Sequence, residues 1–494
     1  MLYRQKFDTF IRQYENCGYI TNKNGFGDRV VDASGAVFLS ALSREPQTLE
    51  ALCVKISKVF VGVEPTVLAE DAKEFYTMLE HDGFIVSGET TVELDQKDIR
   101  FSYSFLNPKN IKKDFTSVIR RAEKSSQEYL EEHFKSNPKL MSLQIELTSR
   151  CNERCVHCYI PHENKLSDID TGLFYDTLDQ CQDMGVLELT LSGGEPLLHE
   201  NFCEFMSKAK SYDFSITVLS NLTLLNDDII TVMKNNRLSS VQVSLYSMNP
   251  DIHDSITKLP GSFYKTKESI IRLIENNIPL QISCPTMKQN KNCYVDVLNW
   301  AYEHKCRPLT DYIMMAQYDH NAGNLNNRLS LDEVGSVINS IINNNLKYQQ
   351  QILREDFFQE DRRDRSQDQV CGVCITSICM EATGNVYPCP GWQGYICGNL
   401  RETTLQDIWE NSSKVKYLRN LRKKDFSKCQ GCDCRAFCSM CMVRNANENQ
   451  EMSVVGTLGD PLIINEHFCE VAKLNRKIVM EWREKTAQTF PNMV

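Results

Sequence analysis

Between residues 142 and 345, short β-rich runs alternate with helical windows, and this rhythm constrains the fold more than any other feature of the chain. The runs are Ser142–Leu147, Val186–Leu191, Phe214–Leu219, Ser240–Leu245, Leu280–Cys284 and Tyr312–Ala316. Helical windows fall between them at 170–183, 201–211, 226–235, 263–276 and 291–304. Six βα units in series predict an α/β fold with a parallel sheet and right-handed crossovers. Curled on itself, that sheet becomes a partial (β/α)6 barrel of TIM type, whose chemistry belongs at the carboxyl ends of its strands.

The flanks read differently. Residues 1–90 form a self-contained α+β pattern: strand pieces Tyr19–Thr21 and Arg29–Asp32 around a turn at Asn24–Gly27, then three helical stretches. Ala36, Leu39 and Leu42 share one helix face; Leu49, Leu52, Val54 and Ile56 supply the apolar positions of the second. The third runs Val67–His81 and stops at Gly83. Residues 91–140 are polar and predict a linker with one helix around Phe115–Phe134. The barrel pattern occupies 141–348, a mixed-charge connector 349–370, and a cysteine-rich region 371–494 that ends in a helix near Phe468–Thr486.

With 55 basic and 65 acidic residues the net charge is −10, which disfavours a broad nucleic-acid-binding face. The start of the chain lacks a signal-peptide core and no apolar run is long enough for a bilayer, so a cytoplasmic location and no membrane partner are expected. The 21 cysteines are odd in number and crowd into two stretches of a long chain. In a reducing compartment such clusters read as metal ligands before disulfides.

The first stretch places Cys151, Cys155 and Cys158 on the loop after strand one, spaced Cys-x3-Cys-x2-Cys. Three thiolates on one loop can hold three irons of a cubane and leave the fourth open to a substrate or cofactor. A zinc knuckle with His157 as fourth ligand is the structural alternative, but zinc sites usually pair two short hooks across a longer gap. After the next strand comes Gly193-Gly194-Glu195-Pro196. Its glycines permit close backbone approach to a ligand, and its carboxylate can accept from an ammonium group.

With those two pieces, residues 142–320 resemble the radical S-adenosylmethionine (SAM) enzymes. The resemblance implies that Cys151, Cys155 and Cys158 ligate a [4Fe–4S] cluster whose open iron takes the amino and carboxylate groups of SAM. It places Gly193, Gly194 and Glu195 at the methionyl amino group and His157, with Val156, along the adenine. Ser220 and Asn221, ending strand three, and Ser244 on strand four match positions that usually touch SAM; strand-end capping is the plainer role for such residues. Tyr246 departs from the pattern, since an acidic residue is commoner there, and no role is carried onto it. Cys284 ends strand five and is a candidate hydrogen-atom donor at the barrel mouth, against the commoner fate of a packed core thiol.

The second stretch contains Cys371, Cys374, Cys379, Cys389 and Cys397, then Cys429, Cys432, Cys434, Cys438, Cys441 and Cys469. Ligand type alone does not separate zinc from iron–sulfur here. The Gly384–Cys389 spacing, the Gly398-Asn399-Leu400 insert running to Trp409, and the Cys429/Cys432/Cys438 hooks resemble a SPASM domain. By that resemblance Cys371, Cys389 and Cys441, with Cys374 or Cys379, hold one auxiliary [4Fe–4S] cluster. Cys429, Cys432, Cys438 and Cys469 hold a second. Residues 15–90 resemble the winged-helix domain that recognises leader peptides, in which an exposed hairpin edge accepts a peptide as an added strand.

The combined resemblance implies a radical SAM peptide maturase. It would act on a ribosomally made precursor peptide, cysteine-containing and with a leader, fed by a flavodoxin- or ferredoxin-type reductant. The expected product is a thioether from a peptide cysteine to a Cα or Cβ carbon. Alternatives are a carbon–carbon crosslink, Cα epimerisation, maturation of a sulfatase or quinoprotein, and, in another class, a non-catalytic iron–sulfur or zinc protein.

Overall fold

The computed structural model describes residues 1–22, 27–99, 130, 134, 137–162, 166–236, 238–354 and 366–489. Four strands open the chain: β1 (Leu2–Gln5), β2 (Thr9–Tyr14), β3 (Cys17–Asn22) and β4 (Gly27–Asp32). The last three form an antiparallel meander in the order β2-β3-β4, so among the described residues β4 ends that sheet with one edge open. β1 pairs instead between β5 (Gln47–Thr48) and β6 (Ile85–Gly88).

Local signals start the helices. Asp32 accepts from Gly35 N to cap Ala33–Ala41, and Thr48 accepts from Ala51 N to cap Leu49–Ile56. Pro65 opens Pro65–His81, where its missing N–H costs no bond. Their apolar faces meet in a small core that includes Leu39, Leu52, Leu68, Ala72 and Tyr76.

A helix at Thr91–Lys97 lies where the sequence predicts the start of a linker, and it is tied back to β1. Arg4 reaches Asp95 at 2.6 Å and Asp98 at 3.1 Å. Of the helix expected around Phe115–Phe134, only Leu130 and Phe134 lie within the described residues; the predicted turn before Gly27 and residues 355–365 of the charged connector also lie outside them. Leu130 and Phe134 pack with Phe10, Tyr14, Tyr19 and Leu187. Beside them Arg12 donates to Val186 O and to Asp213 O, both at 2.9 Å, and Arg44 pairs with Asp213 at 2.9 Å. Val186 and Asp213 both precede barrel strands, so the N-terminal unit sits at the amino ends of those strands.

The barrel strands are β7 (Ser142–Thr148), β8 (Glu188–Gly193), β9 (Ser215–Ser220), β10 (Leu238–Ser244), β11 (Leu280–Ser283) and β12 (Arg307–Leu309), all parallel. Five match the expected runs. The sixth does not: Tyr312–Ala316 has no strand, and Arg307–Leu309 takes the place beside β11. An edge strand needs partners on one side only, so a proline-containing triplet suffices there. The helices fall as predicted at Thr171–Asp183, Phe202–Ser211, Asp227–Asn235, Ser262–Glu275 and Tyr294–Glu303, with one more at Pro250–Thr257.

Strand alternation sorts β7 into two faces. Leu143, Ile145 and Leu147 join the large apolar core, whereas Gln144 donates to Ser192 and Glu146 accepts from Gln393. On the far edge of β7, β13 (Ser377–Met380) adds in parallel, followed by antiparallel β14 (Asn385–Tyr387) and β15 (Gly398–Asn399). The cysteine-rich region therefore continues the barrel sheet to nine strands. Among the described residues, no helix is long and apolar enough to cross a membrane.

Candidate active site

The cysteine loop leaves the carboxyl end of β7 and is anchored from its root outward. Arg150 makes a two-pronged pair with Asp168, at 2.9 and 2.6 Å, and Thr148 Oγ1 donates to the same carboxylate at 2.5 Å. Farther on, Arg154 N donates to Thr257 O at 2.9 Å and Val156 N to Ile256 O at 3.0 Å, docking the loop on the helix Pro250–Thr257. The sequence reading missed the third anchor, the 3-10 turn Gly323–Asn327. Asn327 donates to Val156 O at 3.0 Å, and Asn324 reaches the carbonyls of His157 and Cys158, each at 3.4 Å. The asparagine-rich run 321–327 was the available signal for it.

Gly193 and Gly194 are demanded by this loop. A Cβ on Gly193, where φ is +144°, would lie 2.1 Å from Thr148 O, and one on Gly194 would lie 2.2 Å from Arg150 O. Gly194 N donates to Thr148 O and Glu195 N to Arg150 O, both at 2.8 Å. The glycines thus let two backbones touch, one carrying the cysteines and the other Glu195.

Glu195 is fully buried and gathers the next strand end. Its carboxylate accepts from Ser220 Oγ at 2.7 Å, Asn221 N at 2.7 Å and Leu197 N at 3.0 Å. Burial pushes its carboxyl up to about 7 against those three bonds; an ammonium group brought alongside would favour the ionised form. Asn221 in turn donates to Asn152 on the cysteine loop at 2.9 Å. The cysteine loop, Glu195, Ser220 and Asn221 therefore form one connected cluster.

Cys155, His157 and Tyr246 meet at the floor of the mouth. The Tyr246 phenol lies 3.4 Å from His157 Nε2 and 4.0 Å from Cys155 Sγ, with Ser244 also in hydrogen-bonding reach. Burial pushes the Cys155 thiol well up, and the Glu153 carboxylate adds to that. Burial alone lowers His157 to about 4, so the imidazole is neutral. Its Nδ1 is buried without a hydrogen-bond partner among the described residues. Three thiols on one loop suit an iron–sulfur cluster, since a metal cation is what makes such a buried thiol ionise. The open Nδ1 suits a polar ligand beside it.

Cys284 does not reach that mouth. It is fully buried in the core, its thiol donates to Tyr246 O at 3.5 Å, and Asn290 closes over it. Among the described residues it packs into the apolar core at the end of β11, the setting of a core thiol.

Beyond β7, Cys371, Cys389 and Cys441 lie within electrostatic range of one another, and Cys379 on β13 adjoins Cys389. Cys374 is near this group, but its thiol is hydrogen-bonded with Cys397 and fully buried. Between this group and the first loop stands Tyr159, whose buried phenol senses Glu146, Cys158, Cys389 and Cys379. A second group brings Cys429, Cys432, Cys438 and Cys469 together. A cavity of about 510 Å³, lined in part by Cys429, Cys432 and Cys438, opens beside it. Cys434 lies beside that group, with its Sγ within 4.8 Å of Cys432 Sγ, and its thiol donates to Asp433 at 3.5 Å.

Known proteins match these regions. Residues 145–301 match the radical SAM superfamily, and residues 371–434 match SPASM, an iron–sulfur cluster-binding domain. The subtilosin biosynthesis protein AlbA of Bacillus subtilis is 25% identical over 63% of this chain and 69% of its own length. An AdoMet-dependent heme synthase of Methanosarcina barkeri is 23% identical over 60% of this chain and 90% of its own. The fold is shared with Streptococcus suis SuiB, solved bound to its precursor peptide SuiA, at TM-score 0.56 and 16% identity, covering 89% of this chain and 96% of that one.

Proposed function

From the premise that the chain is a radical SAM enzyme with a SPASM domain and [4Fe–4S] clusters, we propose that it is a peptide maturase. In this reading it oxidatively modifies a ribosomally made precursor peptide, joining a peptide cysteine to a Cα or Cβ carbon as a thioether. The observation that carries it is Tyr159, whose phenol senses Cys158 on one side and Cys379 and Cys389 on the other. A second thiol group linked to the first loop through one buried side chain suits a reaction that must shed an electron after its radical forms. The likeness to AlbA, a protein named for bacteriocin biosynthesis, supports a peptide substrate.

When bound, the clusters and SAM supply one-electron chemistry: a 5′-deoxyadenosyl radical from the first site, and at the auxiliary sites a place for the electron released as the new bond forms. Cys151, Cys155 and Cys158 hold the first cluster. Glu195, Ser220, Asn221, Ser244 and His157, with the Gly193-Gly194 turn, line the SAM site. Cys429, Cys432, Cys438 and Cys469 hold the second auxiliary cluster.

For the first auxiliary cluster the reading is Cys371, Cys379, Cys389 and Cys441, because the Cys374 thiol is engaged with Cys397. Cys379→Ala is then expected to lose about four irons per chain, the content of one cubane, while Cys374→Ala keeps them. Iron and sulfide per chain after anaerobic reconstitution measure this, and equal iron in both variants would contradict it. The open edge of β4 suits a leader peptide added as a strand.

The test of the whole reading is anaerobic turnover with SAM, a flavodoxin- or ferredoxin-type reductant and a candidate cysteine-containing precursor. Release of 5′-deoxyadenosine with a peptide that has lost two hydrogens and blocked one thiol is the expected result. Two hydrogens lost with the thiol still free indicates a carbon–carbon crosslink, and solvent deuterium gained without other mass change indicates epimerisation. No 5′-deoxyadenosine at all would leave a non-catalytic metal protein.

A further inference from the structure

We propose that Tyr246 is a positioning residue for the radical-generating cluster: its phenol O–H, held between Cys155 Sγ and His157 Nε2, hydrogen-bonds the Cys155 thiolate and makes that cluster easier to reduce. The inference rests on Cys155 being a ligand of the first cluster, as proposed above.

The geometry supports one direction for the proton. Tyr246 follows β10 at the barrel mouth and is almost fully buried, packed with Ile256, Met287 and Val156. Its backbone N donates to His253 Nδ1 at 3.2 Å, and the two rings lie 5.4 Å apart, so the residue is held from both ends. The phenol oxygen is 4.0 Å from Cys155 Sγ and 3.4 Å from His157 Nε2, with the His157 and Tyr246 rings edge to face at 5.2 Å. A neutral imidazole carries one N–H. His157 Nε2–H and the Ser244 hydroxyl can both donate to the phenol oxygen, and the phenol O–H is then directed at Cys155 Sγ, 4.0 Å away. His157 Nδ1 then faces the site as an acceptor, consistent with its lack of a protein partner among the described residues.

The electron balance is simple. Reduction adds one electron to the cluster and increases negative charge on its sulfur ligands. A donor to a ligand sulfur stabilises that reduced form and raises the potential. A carboxylate at this position would put a negative charge near the same sulfur and oppose the electron. A phenol supplies a proton without charge.

Tyr246→Phe keeps the ring and its packing and removes only the O–H. In the reconstituted enzyme, EPR-monitored redox titration should show the SAM-responsive signal reduced about tenfold less at a fixed solution potential, which is 59 mV for one electron. The auxiliary signals should not move. In the unmodified enzyme, ENDOR of the same signal should show a fast-exchanging proton coupled to the cluster, and this decides the matter even if the variant loads iron poorly. An unchanged potential in the variant, or no such proton in the unmodified enzyme, overturns the proposal. If the unmodified enzyme gives no SAM-responsive signal at all, it is the assignment of Cys151, Cys155 and Cys158 that has failed.

Discussion

Gly194→Ala is expected to abolish SAM cleavage, although residue 194 itself bears no reactive group. The new methyl would lie 2.2 Å from Arg150 O, 2.5 Å from its carbonyl carbon and 2.7 Å from Ser149 O. None of these atoms belongs to a flexible side-chain tip, so the strand end and the cysteine loop must separate. Separation breaks the 2.8 Å bonds from Gly194 N to Thr148 O and from Glu195 N to Arg150 O. It also shifts Cys151 relative to Glu195. Overpacking plus two lost buried hydrogen bonds costs about 3 kcal/mol or more. Thermal unfolding, iron content and 5′-deoxyadenosine release should all fall together, with release at background. Gly83→Ala is the control, because a Cβ there meets nothing within 4 Å. Its positive φ of +81° costs about 1 kcal/mol of strain and should leave iron untouched. A Gly194→Ala chain that loads iron and cleaves SAM normally would mean that the loop contact does not set the site.

The second large effect concerns the substrate. Removing the leader from the precursor should lower kcat/KM for peptide modification by roughly 100-fold, about 2.7 kcal/mol of lost binding. SAM cleavage without peptide modification should persist, since the cysteine loop and Glu195 are assembled without the N-terminal unit. This comparison is cleaner than deleting residues 1–90. Deletion would uncover Leu187 and remove Arg12 and Arg44 from the carbonyl and carboxylate they hold at Val186 and Asp213. Equal rates on full-length and leaderless peptide would rule out the open β4 edge as the recognition element.

What could be read before the structure follows from where the physics is local. The βα alternation and the helical window from 170 depend on neighbours in sequence and appear as expected, and the side-chain caps at Asp32, Thr48 and Asp170 that the structure adds are equally local. Arg307–Leu309 carries no alternation of its own and becomes a strand because β11 offers an edge. The glycine pair was legible as a close approach, but the sequence could not say that the approaching partner is the chain's own Arg150 carbonyl. Likewise Cys374 and Cys379 differ little in spacing. Only the addition of β13 to β7 turns one toward Cys389 and leaves the other with Cys397. The sharing of Glu146 between the barrel and Gln393 has the same origin, a contact across 247 positions of chain.

The seat of the N-terminal unit sets a ruler for the substrate. Val186 and Asp213, which it grips, lie before β8 and β9, whereas the cysteine loop lies after β7. The seven residues of β7 separate those two levels, a height of about 23 Å at ~3.3 Å per residue. A peptide held at one level and reacting at the other must bridge that height, and an extended chain covers at most ~3.3–3.6 Å per residue. If a leader is gripped at the N-terminal unit as proposed, a spacer of at least about seven residues is expected between the gripped segment and the first carbon that is changed. Shortening that spacer one residue at a time should leave modification intact until it stops abruptly, and the position of the stop reads out the thickness of the enzyme.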